Sequence, residues 1–166
     1  MKLFYEQITS PIGPILIAGS DDKLHALEFT ESLERVRKSL ESRFGEVELQ
    51  AKPGFGGFSA PIHSYFAGDR TALDELPVET GGTDFQRNVW QGLRDIGAGR
   101  TSSYGELAAR LGKPSASRAV GMANSKNPIS LVIPCHRVIG ANGALTGYAG
   151  GLDRKQWLLR HEGALI

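Results

Sequence analysis

The sequence predicts an α+β protein in two parts, the first rich in strands and the second mainly helical. Three short β-rich runs, "KLFYEQI", "PILIAGS" and "KLHALEF", open the chain and are separated by turn residues. From residue 83 onward, two Ser/Thr-x-x-Glu/Gln patterns each precede an apolar spacing typical of a helix. The polar stretch "GDRTALDELPVETGG" between the halves indicates a linker. We therefore expect one domain at residues 1–75 and another at 83–166.

The charge of the chain is unevenly divided, although its net value is only +1. Residues 1–83 hold eight Lys and Arg against thirteen Asp and Glu, whereas residues 84–166 hold eleven against five. A basic half favours a polyanionic partner such as nucleic acid, although surface charge also scatters unevenly without function. The single cysteine excludes an internal disulfide framework and a cysteine-rich zinc site. No membrane span or signal peptide is evident, and we expect a reducing, cytoplasmic setting.

The first half should contain one long helix and one short one beside its strands. The long helix carries apolar residues at helical spacing, which are Leu33, Val36, Leu40 and Phe44. Thr30 is the expected N-cap and Gly45 the expected stop. Residues 59–66 predict the short helix, and "EVELQ" one more strand. His25 and His63 stand alone, and isolated histidines more often pack or face solvent than bind a ligand.

The second half predicts a helix-turn-helix. Thr83 and Gln86 form a capping box ahead of "DFQRNVWQGLRDI", whose apolar residues share one face. Ser103 and Glu106 form another ahead of "YGELAARLG". The short turn "KP" and the segment "SASRAVGMANS" complete the helix pair. Further on, an Asn142-Gly143 turn between apolar arms indicates a small hairpin, or wing.

The second helix of this pair is built almost entirely from small residues. They are Ser115, Ala116, Ser117, Ala119, Gly121 and Ala123. Arg118 is the long side chain in its middle. Such a thin helix fits two interpretations, which are tight packing against other helices and insertion into a nucleic-acid groove. The residues alone do not separate these interpretations.

The cysteine lies in "LVIPCHRVIG", where an apolar run ends. A thiolate is the reactive form of cysteine, and a nearby imidazole or cation favours it. His136 and Arg137 follow Cys135 directly, but in an extended segment neighbouring side chains point to opposite sides. Cys135 and His136 can therefore cooperate only if the chain turns there or a water bridges them. Glu162 is a candidate to orient the histidine.

Three functions remain open on these residues. Cys135 can be a nucleophile, or it can be a small buried apolar residue, as free cysteines often are. In the second case the protein is a DNA-binding module without chemistry. A Cys-His-Glu hydrolase is a third possibility, but it leaves the thin helix and the basic half unexplained.

The motifs "GTDFQRNVW", "TSSYGELA", "SASRAVGMANSKNP", "LVIPCHRVIG" and "LTGYAGGLDRKQWLLRHEG" cover residues 83–163. In this order they resemble the methylated-DNA–protein-cysteine methyltransferases, or O6-alkylguanine-DNA alkyltransferases. The resemblance implies a ribonuclease-H-like α+β domain followed by a winged helix-turn-helix domain. It implies that the protein flips O6-alkylguanine, and O4-alkylthymine, out of duplex DNA and transfers the alkyl group to its own cysteine. The product is permanent, so each molecule acts once, without metal or cofactor.

The resemblance also assigns roles to residues of this chain. Cys135 is the nucleophile, His136 its base through a water, and Glu162 orients the histidine. Tyr104 binds the flipped base near N3, and Asn127 braces the turn around the site. The DNA-binding residues are Arg118, which fills the gap left by the base, with Ser115, Ala116, Ser117, Ala119, Gly121 and Tyr104. The substrate pocket is assigned to Val138, Tyr148, Ala149, Gly150, Ser130 and Lys155.

Two of these positions depart from the pattern of some relatives. Ala149 stands where some have serine, which leaves the backbone N–H as the donor. Ser130 stands where some have proline, which implies a roomier pocket wall. The expected partner is double-stranded DNA containing alkylated guanine. The protein is expected to be a monomer in solution that can cluster on DNA.

Overall fold

The structure, a computed structural model, describes residues 1–165 as two compact units. The first unit comprises Met1–Gly81 together with Pro128–Val132, and the second comprises Gly82–Asn127 together with residues 133–165. Sheet and helices in the first unit and helices in the second confirm the predicted α+β class. Ile166, the end of the predicted second domain, lies outside the described residues. No helix within residues 1–165 is long and apolar enough to cross a membrane.

A four-stranded mixed sheet forms the centre of the first unit. Its strands are β1 (Lys2–Ile8), β2 (Ile15–Gly19), β3 (Leu24–Glu28) and β4 (Glu48–Ala51), in the spatial order β3-β2-β1-β4. β1 and β2 run antiparallel, as do β2 and β3, whereas β1 and β4 are parallel. The predicted strands are thus present, and β2 is buried along its whole length.

Two helices accompany this sheet, α1 (Leu33–Phe44) and α2 (Ser59–Phe66). α1 buries Val36 and Leu40 against small and branched residues of the strands. Its N-cap is Ser32, whose hydroxyl accepts from the Arg35 N–H, so the prediction of Thr30 was wrong. The Thr30 hydroxyl instead accepts from the N–H of Ser32, the residue just before the helix.

The free edge of β3 is occupied by two segments that the sequence analysis placed elsewhere. Within the expected linker, Val78 forms an isolated parallel bridge with Leu24. Ile129 forms another with Leu27, and the Ser130 N–H donates to the Leu27 carbonyl at 3.1 Å. Unpaired strand edges expose backbone groups that need partners, which explains why both segments are held here.

The second unit is built on four helices and a two-stranded parallel pair. The helices are α3 (Asp84–Arg94), α4 (Tyr104–Arg110), α5 (Ser117–Ser125) and α6 (Leu152–His161). β5 (Ser102–Ser103) and β6 (Val138–Ile139) form the pair.

Both predicted capping boxes of the second unit are confirmed, at Thr83 with Gln86 and at Ser103 with Glu106. The prediction of a short turn before α5 was wrong, because α5 begins only at Ser117. Ser115 and Ala116 therefore lie in the turn between α4 and α5.

The expected hairpin around Asn142 and Gly143 is not formed among the described residues. A turn is present, since the Gly143 N–H donates to the Gly140 carbonyl at 2.9 Å. The Gly140 N–H also donates to Ala144 O at 2.8 Å, but no paired strands extend from this turn. The preceding strand, β6, uses its backbone to pair with β5 instead.

We expect Ser103→Ala to lower the free energy of unfolding by about 1 kcal/mol, because the Ser103 hydroxyl accepts from the Glu106 N–H at 3.0 Å. Ser103→Asp keeps an acceptor at the cap and should retain most of the stability. Urea denaturation of both variants measures the difference. An equal loss in the two would show that the cap is not the cause.

Candidate active site

The backbone turns sharply at the cysteine. Cys135–Arg137 form a single 3-10 turn after Pro134, and the Cys135 N–H donates to the Ile133 carbonyl at 2.8 Å. The turn removes the extended geometry in which neighbouring side chains point to opposite sides. All three side chains are buried, and the thiol residue is only 3% exposed.

Cys135 lines a cavity of about 340 Å³ in the second unit. One wall comes from the helix pair, with Tyr104 at the start of α4 and the α5 residues Gly121, Asn124 and Ser125. The facing wall is the segment that precedes α6, and its lining residues are Gly147, Tyr148 and Ala149. The thiol is therefore presented to a space bounded by the predicted DNA-binding helices.

A buried carboxylate organises the residues behind the thiol. Glu162 Oε2 lies 2.8 Å from His136 Nε2, and Glu162 also accepts two hydrogen bonds from Arg137, Nε to Oε1 at 2.8 Å and Nη2 to Oε2 at 3.0 Å. A third Arg137 nitrogen, Nη1, donates to the Ile96 carbonyl. Glu162 and His136 are fully buried.

The protonation states of this group follow from its contacts. Burial alone would raise the pKa of Glu162, but the hydrogen bonds from His136 and Arg137 hold it well below its usual range. Burial lowers the pKa of His136, so its imidazole rests in the neutral form. His136 then donates from Nε2 to the carboxylate, and Nδ1 is the basic nitrogen. Nδ1 is buried and has no hydrogen-bond partner within residues 1–165.

Burial raises the pKa of the Cys135 thiol to about 11. Two neighbours act in the opposite direction, a hydrogen bond from the Asn127 side chain and the charge of Lys155. Asn127 is itself fixed by an Nδ2 hydrogen bond of 2.7 Å to the Ile133 carbonyl. The resting thiol is therefore neutral at physiological pH.

Lys155 is a fully buried cation behind the cavity. Its Nζ donates to the carbonyls of Val138 at 2.5 Å and Thr146 at 2.6 Å. Burial lowers its pKa to about 8, while the nearby thiol raises it. Lys155 thus links α6 to β6 and to the segment that carries the cavity wall.

The thin helix α5 has two different faces. Val120 and Ala123 are buried, and the Ala123 carbonyl accepts from Trp90 Nε1 at 2.9 Å, so small residues allow close packing against α3. On the outer face Arg118 is exposed between the exposed small residues Ser117 and Ala119. The inner face thus supports the packing interpretation, and insertion of the outer face into a groove stays a prediction.

The structure places the remaining predicted residues as follows. Tyr104, Gly121, Cys135, Tyr148 and Ala149 line the cavity, with His136 and Glu162 in the hydrogen-bonded group behind the thiol. The cavity lining does not include Val138, Gly150, Ser130 or Lys155. Val138 and Lys155 support it through the carbonyl contact, whereas Ser130 belongs to the first unit.

Sequence reasoning missed the role of three residues of this site. Asn124 and Ser125 line the cavity at three and four residues beyond Gly121, a helical spacing that could have identified them. Met122, which does not line the cavity, is 61% exposed on the same helix and is an exception to its small residues. Arg137 was considered only for its charge near the thiol, whereas its guanidinium binds Glu162 in a two-point contact that sequence does not reveal.

Within residues 1–165, no group of three or more His, Cys, Asp or Glu side chains is arranged to hold a metal ion. The site thus consists of a buried thiol and the hydrogen-bonded group of His136, Glu162 and Arg137. The same unit contains α5, on which Arg118 is exposed.

Comparison with known proteins identifies the family. Residues 84–164 match the family described as 6-O-methylguanine DNA methyltransferase, DNA binding domain, and residues 3–80 match its ribonuclease-like domain. The chain belongs to the methylated-DNA–protein-cysteine methyltransferase family. This membership confirms the predicted enzyme class and favours it over both the hydrolase and the binding module without chemistry.

Relatives with this activity align along nearly the whole chain. The methylated-DNA–protein-cysteine methyltransferase of Shigella flexneri is 48% identical, covering 100% of this chain and 99% of the relative. The Methanosarcina acetivorans enzyme is 45% identical, covering 98% and 99%. The crystal structure of Mycobacterium tuberculosis O6-methylguanine methyltransferase is 42% identical with a TM-score of 0.82, covering 98% and 93%. The M. tuberculosis protein has also been crystallised in complex with DNA.

We expect Glu162→Gln to lower the free energy of unfolding at neutral pH by about 3 kcal/mol, because Arg137 stays buried without its carboxylate. The folded-state pKa of Glu162 lies below the unfolded value, so its stabilisation is present above the unfolded pKa and is lost as pH falls. Urea titrations from neutral pH down to about pH 3 should show a smaller loss in Glu162→Gln than in wild type. Parallel pH curves for the two proteins would contradict this assignment.

The Cys135 thiol should titrate at about pH 11 in the folded protein. Asn127→Ala should move that titration to higher pH, because it removes a hydrogen bond that lowers the pKa. The ultraviolet absorbance of the thiolate, taken as a difference from Cys135→Ser, measures both values. A thiol that titrates like a free cysteine would show that burial does not govern it.

Proposed function

We propose that the protein repairs duplex DNA by one irreversible transfer of an alkyl group from O6 of alkylguanine to Sγ of Cys135. O4-alkylthymine is the proposed second substrate. The observation that carries the proposal is the position of the thiol, which lines a cavity walled by Tyr104 and by α5. The family relationship indicates the class of reaction. The position of Cys135 in the cavity lining indicates its thiol as the acceptor.

The substrate base has to leave the duplex for this reaction. Cys135 is 3% exposed and lies inside the cavity, so its sulfur cannot reach an atom within a base stack. Extrusion of a nucleotide requires a few kcal/mol, and less for a damaged base. A cavity of about 340 Å³ is of a size that receives small ligands. We therefore propose base flipping as the step that brings the alkylated oxygen to the thiol.

The outer face of α5 is the proposed contact with DNA. Ser117 and Ala119 flank Arg118 with little side-chain bulk, and all three are exposed. A thin helix suits a minor groove, which is only about 6 Å wide in B-DNA. The Arg118 side chain can then fill the gap left by the base. Ser115 and Ala116, in the turn before α5, and Gly121 extend the proposed contact.

The chemical step is an in-line displacement at the alkyl carbon. The thiol proton passes through a bridging water to His136 Nδ1, and the resulting imidazolium is stabilised by Glu162, which Nε2 contacts at 2.8 Å. A carbon–sulfur bond forms as the carbon–oxygen bond breaks, and its electron pair remains on guanine O6. Tyr104 donates a hydrogen bond near N3, and the Ala149 backbone N–H donates to O6. Both donors stabilise the negative charge as it develops.

The remaining proposed roles concern the walls of the site. Asn127 braces the thiol through its hydrogen bonds to Cys135 and Ile133. Tyr148, Ala149 and Gly150 form the loop over the pocket, and Lys155 fixes that loop from behind together with Val138. Ser130, which belongs to the first unit and does not line the cavity, has no proposed role.

The alkylated product should be permanent. A thioether has no easy leaving group, and the chain contains no second cysteine to exchange with it. Each molecule then repairs one lesion. We propose that the protein acts in the cytoplasm as a monomer that clusters along DNA, with duplex DNA containing alkylated guanine as its partner.

Intact-protein mass spectrometry tests the proposal directly. Mixing with an excess of duplex DNA carrying one O6-methylguanine should add the mass of a single methyl group, on the peptide that contains Cys135. Cys135→Ala, the matched control, should bind the same DNA and gain no mass. Transfer to another residue, or DNA binding with no mass gain in the wild type, would overturn the proposed acceptor.

Arg118→Ala should slow transfer from duplex DNA by about tenfold or more, because the flipped state loses the side chain that replaces the base. Transfer from a single-stranded oligonucleotide should change little, since no stacked partner has to be replaced. Lys126→Ala removes another exposed cation just beyond α5 and serves as the control. Quenched single-turnover assays give the rates. Equal slowing on both substrates would exclude a role in flipping.

A further inference from the structure

The phenol of Tyr104 lies beside α5 and close to Thr146. An added Cβ at Gly121 would lie 3.6 and 3.7 Å from two of its ring carbons, so the ring faces the helix at its glycine. Its hydroxyl oxygen lies 3.3 Å from Thr146 Oγ1, within hydrogen-bond range. The Thr146 contact acts on the hydroxyl that is proposed to face the substrate.

Thr146 is well placed to act on this hydroxyl, because its own backbone is anchored. The Thr146 carbonyl accepts from Lys155 Nζ at 2.6 Å, and the same ammonium binds the Val138 carbonyl. Through these two contacts the fully buried Lys155 of α6 joins β6 to the segment that carries the cavity wall. Thr146 itself does not line the cavity. Any effect of its hydroxyl on the substrate must therefore pass through Tyr104.

The two tyrosines of the cavity differ in this respect. Tyr148 also lines the cavity, but its hydroxyl is buried and has no hydrogen-bond partner among the described side chains and backbone groups. The Tyr104 hydroxyl, in contrast, lies within hydrogen-bond range of the Thr146 hydroxyl. A hydroxyl that is held by a neighbour presents its proton in a fixed direction, whereas a free one can rotate.

We propose that Thr146 is a positioning residue for Tyr104, which rests on the proposed function of Tyr104 as a hydrogen-bond donor to the flipped base. The Thr146 hydroxyl donates to the Tyr104 oxygen, and the Tyr104 proton remains free for an acceptor in the cavity. A hydroxyl that accepts one hydrogen bond becomes a stronger donor in another, because linked hydrogen bonds polarise one another. Thr146 thus orients the donor and strengthens it.

The proposal predicts a loss of rate without a loss of DNA affinity. Thr146→Val has nearly the same shape and lacks the hydroxyl, so single-turnover transfer from duplex O6-methylguanine should slow by about fivefold, the effect of one neutral hydrogen bond. The protein concentration that gives half the maximal rate should not change. Thr146→Ser retains the hydroxyl and should recover most of the rate.

A double-mutant cycle distinguishes positioning from a general structural effect. In the background of Tyr104→Phe there is no hydroxyl to orient, so adding Thr146→Val should cause no further loss of rate. Full additivity of the two substitutions would overturn the proposal, as would a Thr146→Ser variant that is as slow as Thr146→Val.

A second measurement does not depend on alkyl transfer. The chain has four tyrosines, and labelling their Cζ carbons with ¹³C gives four NMR signals, of which Tyr104→Phe identifies one. Thr146→Val should shift the Tyr104 signal and leave the other three in place. No shift at Tyr104 would overturn the proposal. If Thr146→Val shifts the Tyr104 signal but the wild-type protein transfers no methyl group, the hydroxyl contact is established and the proposed function is contradicted.

Discussion

The ion pair between Glu162 and Arg137 is the interaction on which the rest of the site depends. It joins the end of α6 to the turn that carries the thiol, through two charge-assisted hydrogen bonds in a buried setting. Because the carboxylate stays ionised, it can accept from His136 Nε2 and thereby set the tautomer of the imidazole. One buried carboxylate thus fixes both the local fold and the basic nitrogen of the site.

The helix α5 shows how one sequence feature can satisfy two demands. Its small inner residues let the Trp90 indole approach the Ala123 carbonyl, which secures the helix to α3. Its small outer residues Ser117 and Ala119 leave Arg118 as the long polar side chain, which lies in the first turn of the helix and not in its middle as expected. The helix is therefore rigid where it packs and slender where DNA is proposed to lie. Met122 adds an exposed apolar side chain to the same helix.

Most helices and strands could be predicted from local features of the sequence, such as capping residues and apolar spacing. Capping boxes and apolar spacing predicted α3 and α4, and the motif match predicted the residues around Cys135. Non-local pairing was not predictable. The bridges of Val78 and Ile129 to β3, and the pairing of β6 with β5 in place of a hairpin, depend on which strand edge is free in the folded chain. Likewise, the Thr146 contact joins residues 42 positions apart.

The high pKa of the buried Cys135 thiol lowers its susceptibility to oxidation. Peroxides attack the thiolate form of cysteine, and susceptibility to oxidation follows thiolate character and exposure. Cys135 is 3% exposed and its pKa is raised to about 11, so very little thiolate meets the solvent. The single cysteine of the chain is thereby protected from oxidation in the resting protein.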